Sequence, residues 1–253
     1  MPDPPAPAPT APGGPLVTPA RWWRTLHRRP SLHVALAFLG AKLAAALLAF
    51  ALLDEEPAAF LRHLSLAWDG VHYLHLAQQG YVMDQIPELG NPFAFPPLFP
   101  WLIRLFGAGD LAPLLVNNLA SLAAVVAVTE LLGPRAGLFF ALFPVWLGYS
   151  TVGYSEGTFV LFAALALLAL PRSAAAAGIL TGVAALARYV AGGALALAGV
   201  WWLRRRWGAL ALYAGLVAAA AGGILLWHAI QGGSPLVYLK AQEVWGARLA
   251  WPW

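Results

Sequence analysis

The chain has 253 residues, of which 60% are hydrophobic and 10% charged, with a mean hydropathy of +0.69. An average soluble domain carries about a quarter charged residues, so these side chains cannot cover a water-soluble globule of this size. The formal charge of +4 comes from arginines spread over short loops, which topology explains better than a nucleic-acid patch, and zero cysteines remove disulfides and thiolate metal sites.

The apolar residues come in runs near the length that an α-helix needs to span a bilayer core, about 20 residues. The short alternating segments of a transmembrane barrel are absent. The predicted fold is therefore all-α and polytopic, a single membrane domain over 21–253 behind a Pro/Ala-rich tail over 1–20 that reads as disordered. The tail lacks the apolar core and cleavage site of a signal peptide. Arg21, Arg24, Arg28 and Arg29, beside Trp22 and Trp23, precede the first apolar run and put the N-terminus in the cytoplasm.

The first span is read at about 34–53. A polar stretch over 54–96 follows, with Asp54, Glu55, Glu56, Asp69, Asp84 and Glu88 against Arg62, and reads as a long extracytoplasmic loop. Phe99–Phe106, with prolines before it and Arg104 within it, reads as an interfacial or re-entrant helix. Further spans are read at about 112–132, 136–150, 157–171, 174–187, 190–203 and 208–230, about seven or more in all. Arg135, Arg172 and Arg204–Arg206 fall on the cytoplasmic side only if 174–203 splits near Arg188, with Gly192–Gly193 as a weak point. Halves that short fit as broken helices packed within protein. The segment 231–253 then reaches the outer face, with the long loop, the turn at Tyr154 and the surroundings of Arg188.

The densest polar motif, Trp68 to Tyr81, reads as a short amphipathic helix with Asp69, His72 and Tyr73 on one face. From the residues alone, Asp69 favours an N-cap over a catalytic role. His72 and His75 lack a third ligand at a metal-binding spacing. Arg188 within a membrane segment is costly and calls for a partner, or snorkels to the interface. Asn117 and Asn118 read as interhelical hydrogen-bonding residues.

Trp68-Asp69-Gly70 with Tyr73, Ala77 and Gly80-Tyr81 resembles the signature of PIG-V-type mannosyltransferases, the GPI mannosyltransferase II group and its prokaryotic relatives. The similarity continues in order along the chain. Phe95-Pro96-Pro97-Leu98-Phe99-Pro100 is similar to the family's FFPLYP segment, and Tyr154-Ser155-Glu156 to its YTES turn. Gly182 to Arg188 resembles GLAALTR, while Ala241-Gln242, Trp245-Gly246 and Trp251-Pro252 resemble a final AQ, WG and Pro segment.

The resemblance implies a GT-C type bundle that passes mannose from a polyprenyl-phosphate carrier to an acceptor hydroxyl outside the cytoplasm, with inversion and without cofactor or metal. It implies Asp69 as general base. Trp68, His72, Tyr73, Tyr81, Tyr154, Glu156, Arg188, Lys240, Gln242, Trp245 and Arg248 are the candidate substrate-binding residues, with Arg188 first choice for the departing phosphate. The alanine- and arginine-rich, lysine-poor composition points to a bacterial inner membrane and to a glycolipid, glycan or protein acceptor. Family chains usually continue past the last segment, so stopping at Trp253 implies a fragment, a short variant or a chain completed by a partner subunit. The rival expectations are a GT-C enzyme with another lipid-linked sugar and a flippase of lipid-linked glycans.

Overall fold

A computed structural model describes residues 30–82 and 91–243. Among these residues the architecture is helical throughout, with no strand. The helices are α1 Pro30–Leu53, α2 Pro57–Leu66, α3 Gly70–Gln79, α4 Leu98–Leu105, α5 Ala112–Leu132, α6 Pro134–Leu142, α7 Pro144–Thr151, α8 Glu156–Ala169, α9 Ala174–Ala187, α10 Tyr189–Leu203, α11 Trp207–Gly232 and α12 Val237–Glu243. The tail over 1–20, the basic segment to residue 29 and the stretch from 244 onward, with Trp245 and Arg248, lie outside the described residues.

Three helices, α1, α5 and α11, are long and apolar enough to cross a membrane, and a fourth span exists if the bent pair α7–α8 is counted as one. The seven spans read from the sequence are therefore not seven membrane-length helices. Prolines account for the first difference. The segment read as one span at 136–150 is broken at Phe143–Pro144 into α6 and α7, because proline removes a backbone donor and clashes with the preceding turn. The axis then turns by 116° between α7 and α8. At 174–203 the expected split falls at Arg188 itself, whose backbone is extended, while Gly192–Gly193 lies within helix α10. The two halves have 14 and 15 residues, about 21–23 Å at the helical rise, short of a bilayer core of about 30 Å.

Helix α5 packs against α8, α6 and α1, while α9 lies between α8 and α11. Leu43, Leu48 and Leu52 on α1 and Leu226 and Ile230 on α11 are exposed. A helix apolar on all sides but barely buried by its neighbours fits a lipid surrounding rather than water. The segment between α1 and α5 packs differently. Tyr73, Leu76, Phe95, Phe99 and Ile103 join Val116 of α5 in one buried cluster, each large side chain contributing roughly 1.5–3 kcal/mol where it leaves water. That cluster seats α3 and α4 on the end of α5.

The sharp turn between α7 and α8 leaves helix-end carbonyls that need partners in a place where water is scarce. Asn117 of α5, fully buried, supplies them. Its Nδ2 donates to the carbonyls of Tyr149 and Val152 at 2.7 and 2.6 Å, and its Oδ1 accepts from the Gly157 amide and the Ser121 hydroxyl, each at 3.2 Å. Lys42 of α1 reaches the same turn. Its ammonium donates to the Ser150 carbonyl and, at 2.5 Å, to Asn118 Oδ1. A cation at a helix C-terminus also meets the favourable end of the helix dipole.

Asn117→Ala leaves two carbonyls and one amide of this turn unpaired and should lower stability by about 2–4 kcal/mol. Thermal or denaturant unfolding in detergent reads this directly; an unchanged midpoint would mean that the turn does not depend on Asn117.

Candidate active site

Two close backbone contacts bring the Asp69 turn to the Tyr154 turn. A side-chain carbon on Gly70 would stand 2.2 Å from the Ser65 carbonyl, and one on Gly153 would stand 2.0 Å from the same oxygen. Glycine is therefore required at both positions, and the Gly153 amide donates to the Leu64 carbonyl at 3.0 Å. The end of α2 thus forms a common seat for the start of α3 and the residues just before α8.

Asp69 stands at the N-cap position of α3 but makes no side-chain cap hydrogen bond. The capping role that its position favoured is not the one it plays. Its carboxylate borders two cavities. The first, about 600 Å³, is lined by Asp69, Tyr73, Phe95, Arg188, Tyr238 and Gln242, among others. The second, about 700 Å³, is lined by Trp68, Asp69, His72, Tyr149 and Tyr154 with Val145 and Gly148. Burial, with the charge and hydrogen bonding of Asp69, pushes the Tyr154 hydroxyl above the usual tyrosine range, so it stays protonated and able to donate. Burial lowers the His72 pKa, the Asp69 carboxylate offsetting part of that effect.

Tyr73 is buried and its hydroxyl pairs with Ser155 Oγ at 2.9 Å, tying α3 to the N-terminus of α8. Glu156, the first residue of α8, forms an ion pair with Arg188. That pair answers the choice between partner and snorkelling: Arg188 has a partner, and the extended backbone at the α9–α10 break turns its guanidinium toward the first cavity. Arg188 Nε and Glu156 Oε2 remain buried without hydrogen-bond partners.

The other sequence candidates divide. Gln242 lines the first cavity and donates to the Ala94 carbonyl at 3.2 Å. Tyr81 lines neither cavity; its hydroxyl donates to the Phe95 carbonyl at 2.9 Å and its ring packs edge-on against Trp227 at 4.8 Å. Lys240 is exposed on α12 and lines neither cavity. Three aromatic residues enter that the sequence reading passed over. Tyr149 faces the second cavity, and Tyr189 and Tyr238, with rings 4.8 Å apart and perpendicular, face the first. Tyr189 and Tyr238 also border a third cavity of about 350 Å³, lined mainly by small and apolar residues of α9, α10 and α11 such as Gly182, Gly193, Ala220 and Ile224. Comparison with protein-family models, curated proteins and solved structures found no match for this chain.

Replacing either member of the Glu156–Arg188 pair leaves its partner uncompensated in a half-buried site. Glu156→Gln and Arg188→Gln should each cost about 1–3 kcal/mol, with a coupling of about 1 kcal/mol or more in the double-variant cycle. Strictly additive unfolding free energies would mean that the ion pair contributes nothing.

Proposed function

We propose that this chain is a membrane glycosyltransferase that moves a sugar, mannose by its motif resemblance, from a polyprenyl phosphate to an acceptor hydroxyl on the extracytoplasmic side. The observation that carries this reading is the position of Asp69, whose carboxylate borders two separate cavities, only one of which holds a guanidinium. A transferase that works in one displacement needs such a wall, with a base reaching an acceptor on one side and a leaving group on the other.

The first cavity suits the donor. Arg188 offers a cation and an unpaired buried N–H to a phosphate, an arrangement that stabilises negative charge as it develops. Beyond Tyr189 and Tyr238 the cavity adjoins the apolar space between α9, α10 and α11. A polar head next to an apolar groove at membrane depth matches an isoprenoid phosphate better than a nucleotide sugar.

In the reaction, the acceptor hydroxyl oxygen attacks the anomeric carbon while its proton passes to the Asp69 carboxylate. The new C–O bond forms on the face opposite the breaking bond to phosphate, so the configuration inverts. The polyprenyl phosphate departs with the electron pair beside Arg188. The protein contributes orientation of both substrates and one proton transfer, the latter worth about 100- to 10,000-fold in rate.

Asp69→Asn keeps the shape of the carboxylate but cannot accept the proton, so transfer from a radiolabelled polyprenyl-phosphate mannose in membranes should fall at least about 100-fold without loss of folded protein. Turnover retained in that variant would remove Asp69 from the base role. Gly193→Leu, at a position with open space around it, should partly fill the apolar cavity. It should raise the KM for a long-chain donor more than for a two-isoprene donor; equal effects on both would argue against an isoprenoid there.

A further inference from the structure

The second cavity has a chemistry of its own. Its lining contains no lysine or arginine, and its walls are the rings of Trp68, Tyr149 and Tyr154 around the Asp69 carboxylate. The Tyr149 and Tyr154 rings are 5.4 Å apart and tilted by 34°. Trp68 stands edge-on to both, at 6.5 Å from Tyr149 and 5.8 Å from Tyr154. Its own ring is 65% exposed, so the indole faces are open.

The backbone holds Trp68 in that attitude at a cost. Its φ of +50° lies in the left-handed region, which a bulky side chain rarely adopts. The chain runs from the end of α2 through Ala67, turns at Trp68 and re-enters a helix at Gly70, where the Ser65 seat fixes it. Strain of this kind persists where surrounding structure enforces it, and it collects at binding sites. No core packing is gained by it, because the ring points away from the core.

A ligand for this cavity must be uncharged or at least not anionic, because an anion would meet the Asp69 carboxylate with no cation to balance it. It must carry a hydroxyl that reaches Asp69. It must also offer flat apolar faces to three aromatic rings and polar edges to His72 and the Tyr154 hydroxyl. A pyranose ring has this combination, with C–H groups on its faces and hydroxyls around its rim. A serine or threonine side chain has the hydroxyl without the faces, and a phospholipid headgroup brings the wrong charge.

We propose that the Trp68–Tyr149–Tyr154 cavity is an acceptor subsite for a neutral sugar residue, so that the acceptor is the hydroxyl of a carbohydrate rather than of a protein. This rests on the transferase reading above and names the acceptor class for the same site. The sugar hydroxyl gives its proton to Asp69 and forms the new bond to the donor's anomeric carbon, while the carbon–oxygen bond to the polyprenyl phosphate breaks in the neighbouring cavity. The acceptor stays stacked on Trp68 throughout.

Two measurements on the full chain in lipid nanodiscs test this. The first is equilibrium binding of tritiated mannotriose to wild type, Trp68→Ala and Trp68→Phe. The exposed position of Trp68 makes both variants compatible with folding. Wild type and Trp68→Phe should bind, and Trp68→Ala should bind at least tenfold more weakly. Equal binding by all three, or by none, would overturn the sugar subsite and leave Trp68 as an interfacial anchor. The second is transfer from polyprenyl-phosphate mannose to octyl α-mannoside or to a serine-containing peptide. The glycoside should be the better acceptor, and Trp68→Ala should raise its KM about tenfold or more with little change in the KM for donor. Preference for the peptide would overturn the proposal while upholding the transferase. Mannotriose binding that depends on Trp68, with no donor consumed by any acceptor or by water, would overturn the transferase and leave a sugar-binding site.

Discussion

The turn between α7 and α8 depends on side chains that satisfy its backbone. Wherever a helix ends among apolar neighbours, its last carbonyls lose their partners, and in a bilayer no solvent replaces them. Here the Tyr149, Ser150 and Val152 carbonyls are taken by Asn117 and Lys42, from two other helices. Asn117 also holds the first turn of α8 through the Gly157 amide. Four helices thus share one polar knot. Everything that faces the second cavity from this side, from Val145 to Tyr154, hangs on it.

The second constraint is steric. Gly70 and Gly153 both press against the Ser65 carbonyl, so α2 acts as a gauge that sets how closely the Asp69 turn approaches the Tyr154 turn. Tyr73 then locks the spacing from within, its hydroxyl on Ser155 and its ring against Phe95 and Phe99 at 5.3 and 4.9 Å. Ser155 precedes Glu156, and Glu156 holds Arg188. One continuous set of contacts therefore runs from the base candidate to the phosphate-cation candidate, through α3, α8 and the α9–α10 break. The knot positions the turn, and this chain of contacts positions the charges.

Much of this was legible in the sequence where it depended on local rules. Composition and run length foretold an all-helical membrane chain, and charge alternation located the break at Arg188 to the residue. Prolines before Leu98 marked a short helix there, and α4 is eight residues long. What the sequence hid were consequences of packing. A hydropathy window averages Pro144 into its apolar neighbours, so a sharp bend reads as a straight span. Lys42 sits in an otherwise apolar run and escaped notice, although a lone lysine at membrane depth signals a partner. Asn117 looked like an ordinary interhelical donor because its acceptors lie 32 and 35 residues away. The orientation of Asp69 could not be read from its place at a helix start, since a cap and a catalytic carboxylate share that place. Tyr149, Tyr189 and Tyr238 were invisible as site residues because each lies in or beside an apolar segment and only the folded chain turns them toward a cavity.

The arrangement of charge gives the proposed chemistry a direction. Arg188 is partly neutralised by Glu156, which makes a guanidinium tolerable beside apolar helices yet leaves its Nε unpaired. A phosphate arriving there meets one free donor and a cation already oriented, so little rearrangement is needed as its charge grows. Asp69 lies on the opposite wall, and accepting a proton removes its charge during the same step. Negative charge thereby passes from the base to the departing phosphate, from a wall without cations to a wall that has one. Were the two substrates exchanged between the cavities, the phosphate would gather charge against the aromatic wall with no arginine or lysine near it, and Arg188 would face an uncharged hydroxyl. The asymmetry of the two cavities assigns the donor to Arg188 and the acceptor to Trp68 by the same electrostatic argument.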